Sequence, residues 1–374
     1  MPTPSYLSKF QKIRPKFEVP QEVLLEWLSR AHLQSRIYSQ TRTTNVSDAT
    51  PEETAKMRKF VFRFACDPKR ISSRGIQTDD AYEKDYSKMQ IYKISPETPS
   101  GLNMLARTKF FAQQCNQIFE EFYPVGMTAP EHIVHVTCTG YVSPSGPQIL
   151  VGKRQWSHQT AITHAYHMGC YASLPAIRLA QGYTHDTKLV DIVHTEICSL
   201  HLDPNNHAPE QIVVQSLFAD GFIKYSVTQI RPPEGFEILK VKEFIIPDSS
   251  AMMTWITGNS GMQMSLSKDV PMAVAKHLAV FLEDFQIEKE NCVYAIHPGG
   301  PRIIDSIQDL LRIPESQIRH SRQVLFEYGN MSSATLPHIW QNILLDPQIK
   351  PGTQIISLAF GPGLTIFGGL LKKL

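Results

Sequence analysis

Residues 173–230 read SLPAIRLAQGYTHDTKLVDIVHTEICSLHLDPNNHAPEQIVVQSLFADGFIKYSVTQI, and their pattern decides the fold class. Apolar residues at helical spacing predict a helix over 173–182. KLVDIVHTEICSLHL (188–202) is a β-branched run of the strand type. QIVVQSLFADGFIKYSVTQI (211–230) predicts a helix that turns at Ala219-Asp220-Gly221 into a further strand. The alternation returns further on. VPMAVAKHLAVFLEDFQI (270–287) predicts a long helix, CVYAIHP (292–298) a strand, IIDSIQDLL (303–311) a helix, and SRQVLFEYGNMSSATLPHIWQNILL (321–345) ends in another. Helices alternating with buried strands predict an α/β protein with covered sheets. Two unequal passes of one pattern suggest an internal duplication.

Outward from that core, Arg231-Pro232-Pro233-Glu234-Gly235 is the clearest boundary signal, dividing the chain into 1–231 and 232–374. The opening, to about residue 110, reads as helical and polar. QEVLLEWLSRAHLQ (21–34) has helical periodicity, Thr50-Pro51-Glu52-Glu53 is a helix start, and RISSRGIQTDDAYEKDYSK (70–88) reads as a surface loop. AQQCNQIFEEFY (112–123) is helical, and IVHVTCTGY (133–141) is a buried strand. The uncharged stretch 351–371 is long enough to span a bilayer, but Gly361-Pro362-Gly363 breaks it. It reads instead as two buried strands, IISLAF and LTIFGGLL, so no membrane span is expected.

Composition sets further bounds. The 374 residues are 42% hydrophobic and 19% charged, enough for large cores. Lys plus Arg number 37 against 35 acidic residues, so net charge gives no reason to expect nucleic acid. The first thirty residues lack a signal peptide's apolar run, so secretion by that route is not expected. Six cysteines, at 66, 115, 138, 170, 198 and 292, show no C-x-x-C pair and no disulfide-framework spacing. His164 and His167 lack further ligands at zinc spacing, so no metal is expected.

Three residues carry candidate chemistry. Cys170, in HAYHMGCYASLPAIRLA, precedes a helix, and unpaired N–H groups at a helix N-terminus lower a thiol pKa. Its plain reading is core packing. His297 ends a strand and is followed by Pro298-Gly299-Gly300-Pro301. The glycines allow backbone to approach a ligand, and such a histidine can act as base or oxyanion donor. Asn330, in EYGNMSSA, is either an N-cap or a donor to a developing oxyanion.

The ordered segments MGCYASLPAIRLA, LFADG, SKDVP, HPGGPRIID, EYGNMSSA and AFGPGLT resemble the chalcone-synthase-like family, the type III polyketide synthases. The resemblance runs from about Lys56 to the C-terminus and is most specific in HPGG and YGNMSSA. It implies a thiolase-like αβαβα layered fold of two similar halves, assembled as a homodimer in the cytoplasm, with no metal or organic cofactor. It also implies roles. Cys170 takes an acyl group from a thioester and is stabilised as thiolate by His297. His297 and Asn330 hold the thioester oxygen while a malonyl unit loses carbon dioxide, and the enolate attacks the acyl-cysteine.

Departures from the family's plant pattern bear on substrate. Phe218 matches one of two gatekeeping phenylalanines, while Met264 stands at the other, where a flexible thioether yields to a longer guest. Cys198 and His201 stand at cavity positions held by threonines in plant enzymes, and Cys138 at another cavity position; core packing is the alternative for all three. Cys66-Asp67 matches a Cys-Asp pair of the coenzyme A site, but Val61, Phe64 and Pro68 replace its basic residues. Arg63, Lys69 and Arg70 lie alongside and, with Arg302, offer positive charge to coenzyme A or to an acyl carrier protein; a solvated basic face with no such partner is the alternative. The leading expectation is a polyketide synthase that extends an acyl starter with malonyl units to a pyrone or phenolic ring. The alternative is a ketosynthase performing one condensation between a carrier-bound acyl chain and a β-keto chain.

Overall fold

The computed structural model describes residues 3–41, 49–287 and 292–374. Its frame is a nine-stranded mixed sheet built from β1 (Ser5–Ile13), β4 (His132–Thr137), β5 (Ala161–Tyr166), β6 (Val190–Ile197), β7 (Asp220–Thr228), β8 (Phe236–Ile245), β11 (Cys292–Ile296), β12 (Gln354–Gly361) and β13 (Thr365–Lys373). The spatial order is β5-β4-β6-β7-β1-β8-β13-β12-β11. Outward from the centre, β1 runs antiparallel to β7, β7 antiparallel to β6, and β6 parallel to β4. The other side repeats this: β8 antiparallel to β13, β13 antiparallel to β12, β12 parallel to β11. The halves meet where β1 pairs with β8 through Ser5–Ile238, Tyr6–Glu237 and Leu7–Phe236. The bend at Pro232-Pro233 falls between β7 and β8.

Strand alternation sends successive residues to different cores. Ile133, Val193 and Phe222 face α1 (Gln21–Thr41), α2 (Pro51–Phe64) and α3 (Met104–Phe122). Their neighbours Val134, Ile192 and Ile223 face a central core with α5 (Ser173–Tyr183) and α10 (Thr335–Leu345). That core is closed on its far side by Val293, Ala295, Ile355 and Phe367 from the second half. Tyr294, Ile296, Ile356 and Ile366 face a third core with α7 (Val270–Glu283), α8 (Pro301–Leu311) and α9 (Glu315–Tyr328). Three apolar cores separated by two half-sheets make five layers, as expected.

The remaining elements are a ribbon of β2 (Phe17–Pro20) with β3 (Ser73–Ile76), α4 (Gly146–Arg154), α6 (Pro209–Leu217), and a hairpin of β9 (Met253–Gly258) with β10 (Gly261–Leu266). The polar helical reading of the first 110 residues needs correction, since β1 lies at the centre of the sheet. The 70–88 stretch is also no simple surface loop, because it contains β3 and buries Ile71, Arg74, Gln77 and Asp80. Arg74 is buried because it holds backbone: Nη1 donates to the carbonyls of Gln215 and Phe218, both at 2.8 Å. Among the described residues no helix is long and apolar enough to cross a membrane.

Candidate active site

Loops following the C-terminal ends of parallel strands supply the site, the usual place for one in an α/β sheet. Cys138 follows β4, Gly169 and Cys170 follow β5, Cys198 follows β6, His297 follows β11 and Pro362 follows β12. All but His297 line one pocket of about 600 Å³, counted with its solvent-open mouth. The same pocket takes His201, Phe218 and Met264, so five pocket residues expected from sequence surround the expected nucleophile.

Cys170 is buried three residues ahead of α5, after a left-handed Gly169 at φ 82°. A Cβ on Gly169 would stand 2.4 Å from Pro362 Cδ, so this turn admits only glycine without a shift. The thiolate-favouring environment expected from the helix start is not what dominates. Burial pushes the Cys170 thiol up to about 12, and the Glu196 carboxylate adds to this. Ser332, the nearby Asn330 amide and the Cys170 N–H oppose burial without overcoming it. Ser332 Oγ lies 3.9 Å from the sulfur, and Ser332 is held at φ 50°.

Asn330 is fixed twice. Its N–H donates to Leu217 O at 2.9 Å and its carbonyl accepts from Ala219 N at 2.8 Å, tying it to the segment of Phe218. Its Oδ1 accepts the Ser332 N–H at 2.9 Å, while Nδ2 is buried with no hydrogen-bond partner. This is an amide oriented by its neighbours rather than an N-cap. His297 donates its backbone N–H to Leu358 O in β12 at 2.7 Å. Both of its ring nitrogens are buried without partners, and burial lowers its pKa to about 3. The structure therefore brings Cys170 and Asn330 together, while His297 hydrogen-bonds to neither.

Other expected residues lie elsewhere. Gly299 and Gly300 form the turn into α8 and do not line the pocket; a Cβ on Gly300 would meet Leu217 Cδ1 at 3.3 Å. Arg63, Lys69, Arg70 and Arg302 are exposed. Arg70 pairs with Asp305 of α8 at 3.5 Å, bringing the 67–70 loop against the helix that begins with Arg302. Arg63 instead lies over the Phe64 ring, 5.4 Å from its centroid.

Sequence reasoning missed Trp255 and Met262, both pocket-lining and both on the β9–β10 hairpin. Trp255 Nε1 donates to Cys138 O at 2.8 Å, and Met262 N donates to His201 Nδ1 at 3.1 Å. Glu196 was missed as well. Fully buried, it accepts from Cys138 N and Thr139 Oγ1 at 3.0 Å and from Ser333 Oγ, joining both sides of the site. Among the described residues no three His, Cys, Asp or Glu side chains gather as a metal site.

Comparison with known proteins places the chain among similar sequences and folds. Residues 237–374 match the family model of chalcone and stilbene synthases, C-terminal domain. The chain is 28% identical over 257 residues to probable polyketide synthase 1 of Dictyostelium discoideum, covering 65% of this chain but 8% of that protein. It is 26% identical over 261 residues to type III polyketide synthase C of Arabidopsis thaliana, covering 65% of this chain and 67% of that one. The C-terminal type III polyketide synthase domain of Steely1, a type I/III hybrid from Dictyostelium, superposes with a TM-score of 0.79 at 22% identity, over 99% of both chains. The chain is thus similar to type III polyketide synthases, shares the fold of their solved structures over nearly its whole length, and matches the chalcone and stilbene synthase C-terminal domain over residues 237–374.

Proposed function

We propose that the protein is a type III polyketide synthase: an acyltransferase that loads an acyl starter on Cys170 and extends it with malonyl units by decarboxylative Claisen condensation. The observation that carries this reading is a buried thiol lining an apolar pocket beyond the ends of the parallel strands, beside the Asn330 amide, whose Nδ2 is buried without a partner. Cys170 Sγ attacks the starter thioester, its proton passes to neutral His297, and the carrier thiol leaves. Malonyl thioester then loses carbon dioxide, and N–H groups of His297 and Asn330 stabilise the enolate oxygen that forms. The enolate carbon attacks the acyl-Cys170 carbonyl, displacing the thiol and lengthening the chain. Repetition and cyclisation release a pyrone or phenolic product.

The finer assignments belong to the same proposal. The chain forms two similar halves, 1–231 with the nucleophile and 232–374 with His297 and Asn330, supported by the repeated strand directions. It acts as a homodimer in the cytoplasm; β5, an unpaired edge of the sheet, is open to a second copy. Lys69, Arg70 and Arg302 meet the phosphates of coenzyme A or of a carrier's phosphopantetheine.

Incubation with malonyl-CoA and a panel of acyl thioesters, free and carrier-bound, tests the reading by product mass. Several added ketide units are expected, whereas one unit would mark a single-condensation ketosynthase. Cys170→Ala should fold normally and show no acyl adduct by intact mass. An acylated mutant would remove Cys170 from its role.

A further inference from the structure

From the hydrogen bonding of the pocket walls we infer that the starter is an apolar acyl group, one without hydroxyl or amide groups beyond its thioester carbonyl. This rests on the polyketide synthase reading above. Away from the nucleophile the lining is largely Leu202, Val214, Phe218, Met253, Met262 and Met264. Most hydrogen-bonding groups of the polar side chains beside them are already engaged within the protein. His201 uses both nitrogens, Nε2 to Thr139 O at 2.7 Å and Nδ1 from Met262 N at 3.1 Å. Thr139 Oγ1 donates to Glu196 and accepts from Ile197 N at 2.9 Å. Gln215 gives its N–H to Asp203 O at 3.0 Å, and its Oε1 faces His32 Nε2 at 3.2 Å. The Gln211 amide N–H goes to Met264 O at 2.7 Å, and the Trp255 N–H to Cys138 O.

A hydroxyl on the guest would lose water on entry and find these partners taken, whereas methylene groups meet thioethers, thiols and rings. Met side chains also adapt to chains of varied bend. The lining thus discriminates by polarity more than by shape.

The test uses matched pairs differing by one hydroxyl: hexanoyl-CoA against 6-hydroxyhexanoyl-CoA, and cinnamoyl-CoA against 4-hydroxycinnamoyl-CoA. Single-turnover acylation of Cys170, read by intact mass, reports the pocket before any condensation. The hydroxylated member of each pair should acylate about 10–100-fold more slowly. Met264→Gln, which adds an amide of similar size to the wall, should narrow that ratio in both pairs. Equal rates within the pairs, or faster loading of the hydroxylated members, would overturn the inference and leave the synthase intact. Acylation by no thioester would instead overturn the synthase reading, and this inference with it.

Discussion

The Asn330 amide is bonded on one side only, with Oδ1 held by the Ser332 N–H and Nδ2 held by nothing. Asn330→Ala should therefore leave acyl loading nearly intact and slow malonyl decarboxylation about 10²–10³-fold, as loss of one oxyanion donor does. Stopped assays of carbon dioxide release and of Cys170 acylation separate the two steps. Equal losses in both would mark Asn330 as structural. The nucleophile itself yields a pH prediction. With the Cys170 thiol raised to about 12 and His297 lowered to about 3, both are neutral at pH 7. Thiolate then grows about tenfold per unit of pH below the raised value, so iodoacetamide alkylation should climb steadily from pH 6 to 9. A thiolate–imidazolium pair would instead give a flat profile over that range. Cys170, His297 and Asn330 could be singled out as candidates because they sit in short ordered motifs. Their charge states were not, since burial is a property of the folded surroundings.

At the scale of elements, the β9–β10 hairpin shows what sequence reading can reach. MTWIT and MQMSL alternate on either side of Gly258-Asn259-Ser260-Gly261, a hairpin signal that would have placed Trp255 and Met262 on the face of Met264. Strand β1 offers less. SYLSKFQKI carries lysines at 9 and 12, and Lys9 sits at φ 56° where the register with β7 slips between Ser8 and Gln11. That bulge breaks the alternation by which a buried strand is read. The hairpin also frames a prediction about length. Met264 is half-buried at the pocket wall, with Gln211 anchoring its carbonyl. Met264→Phe should discriminate against long acyl starters by about tenfold or more while sparing short ones. An unchanged long-to-short ratio of kcat/KM, at unaltered Tm, would take Met264 out of the starter site.

Across the whole molecule, the strands of the two halves join in one sheet where β1 meets β8, and Gly235 guards that seam. At φ 146° it brings its Cα so near Leu7 that an added Cβ would lie 2.1 Å from the Leu7 carbonyl oxygen. Gly235→Ala should cost about 2 kcal/mol or more and lower Tm measurably. Gly352→Ala, at φ 88° with open space around it, isolates backbone strain from the clash and should be milder. The position of β1 also governs the birth of the protein. This strand leaves the ribosome well before its neighbours on either side, which begin at Asp220 and Phe236 and emerge later. Until then its edges have no native partners, and the first half cannot complete its sheet while it is being made. The closing of the long loop between β1 and β7 makes folding slow and leaves strand edges exposed to aggregation. Chaperone capture of nascent chains ending near residue 210, released once synthesis passes β8, is the expected trace of that delay.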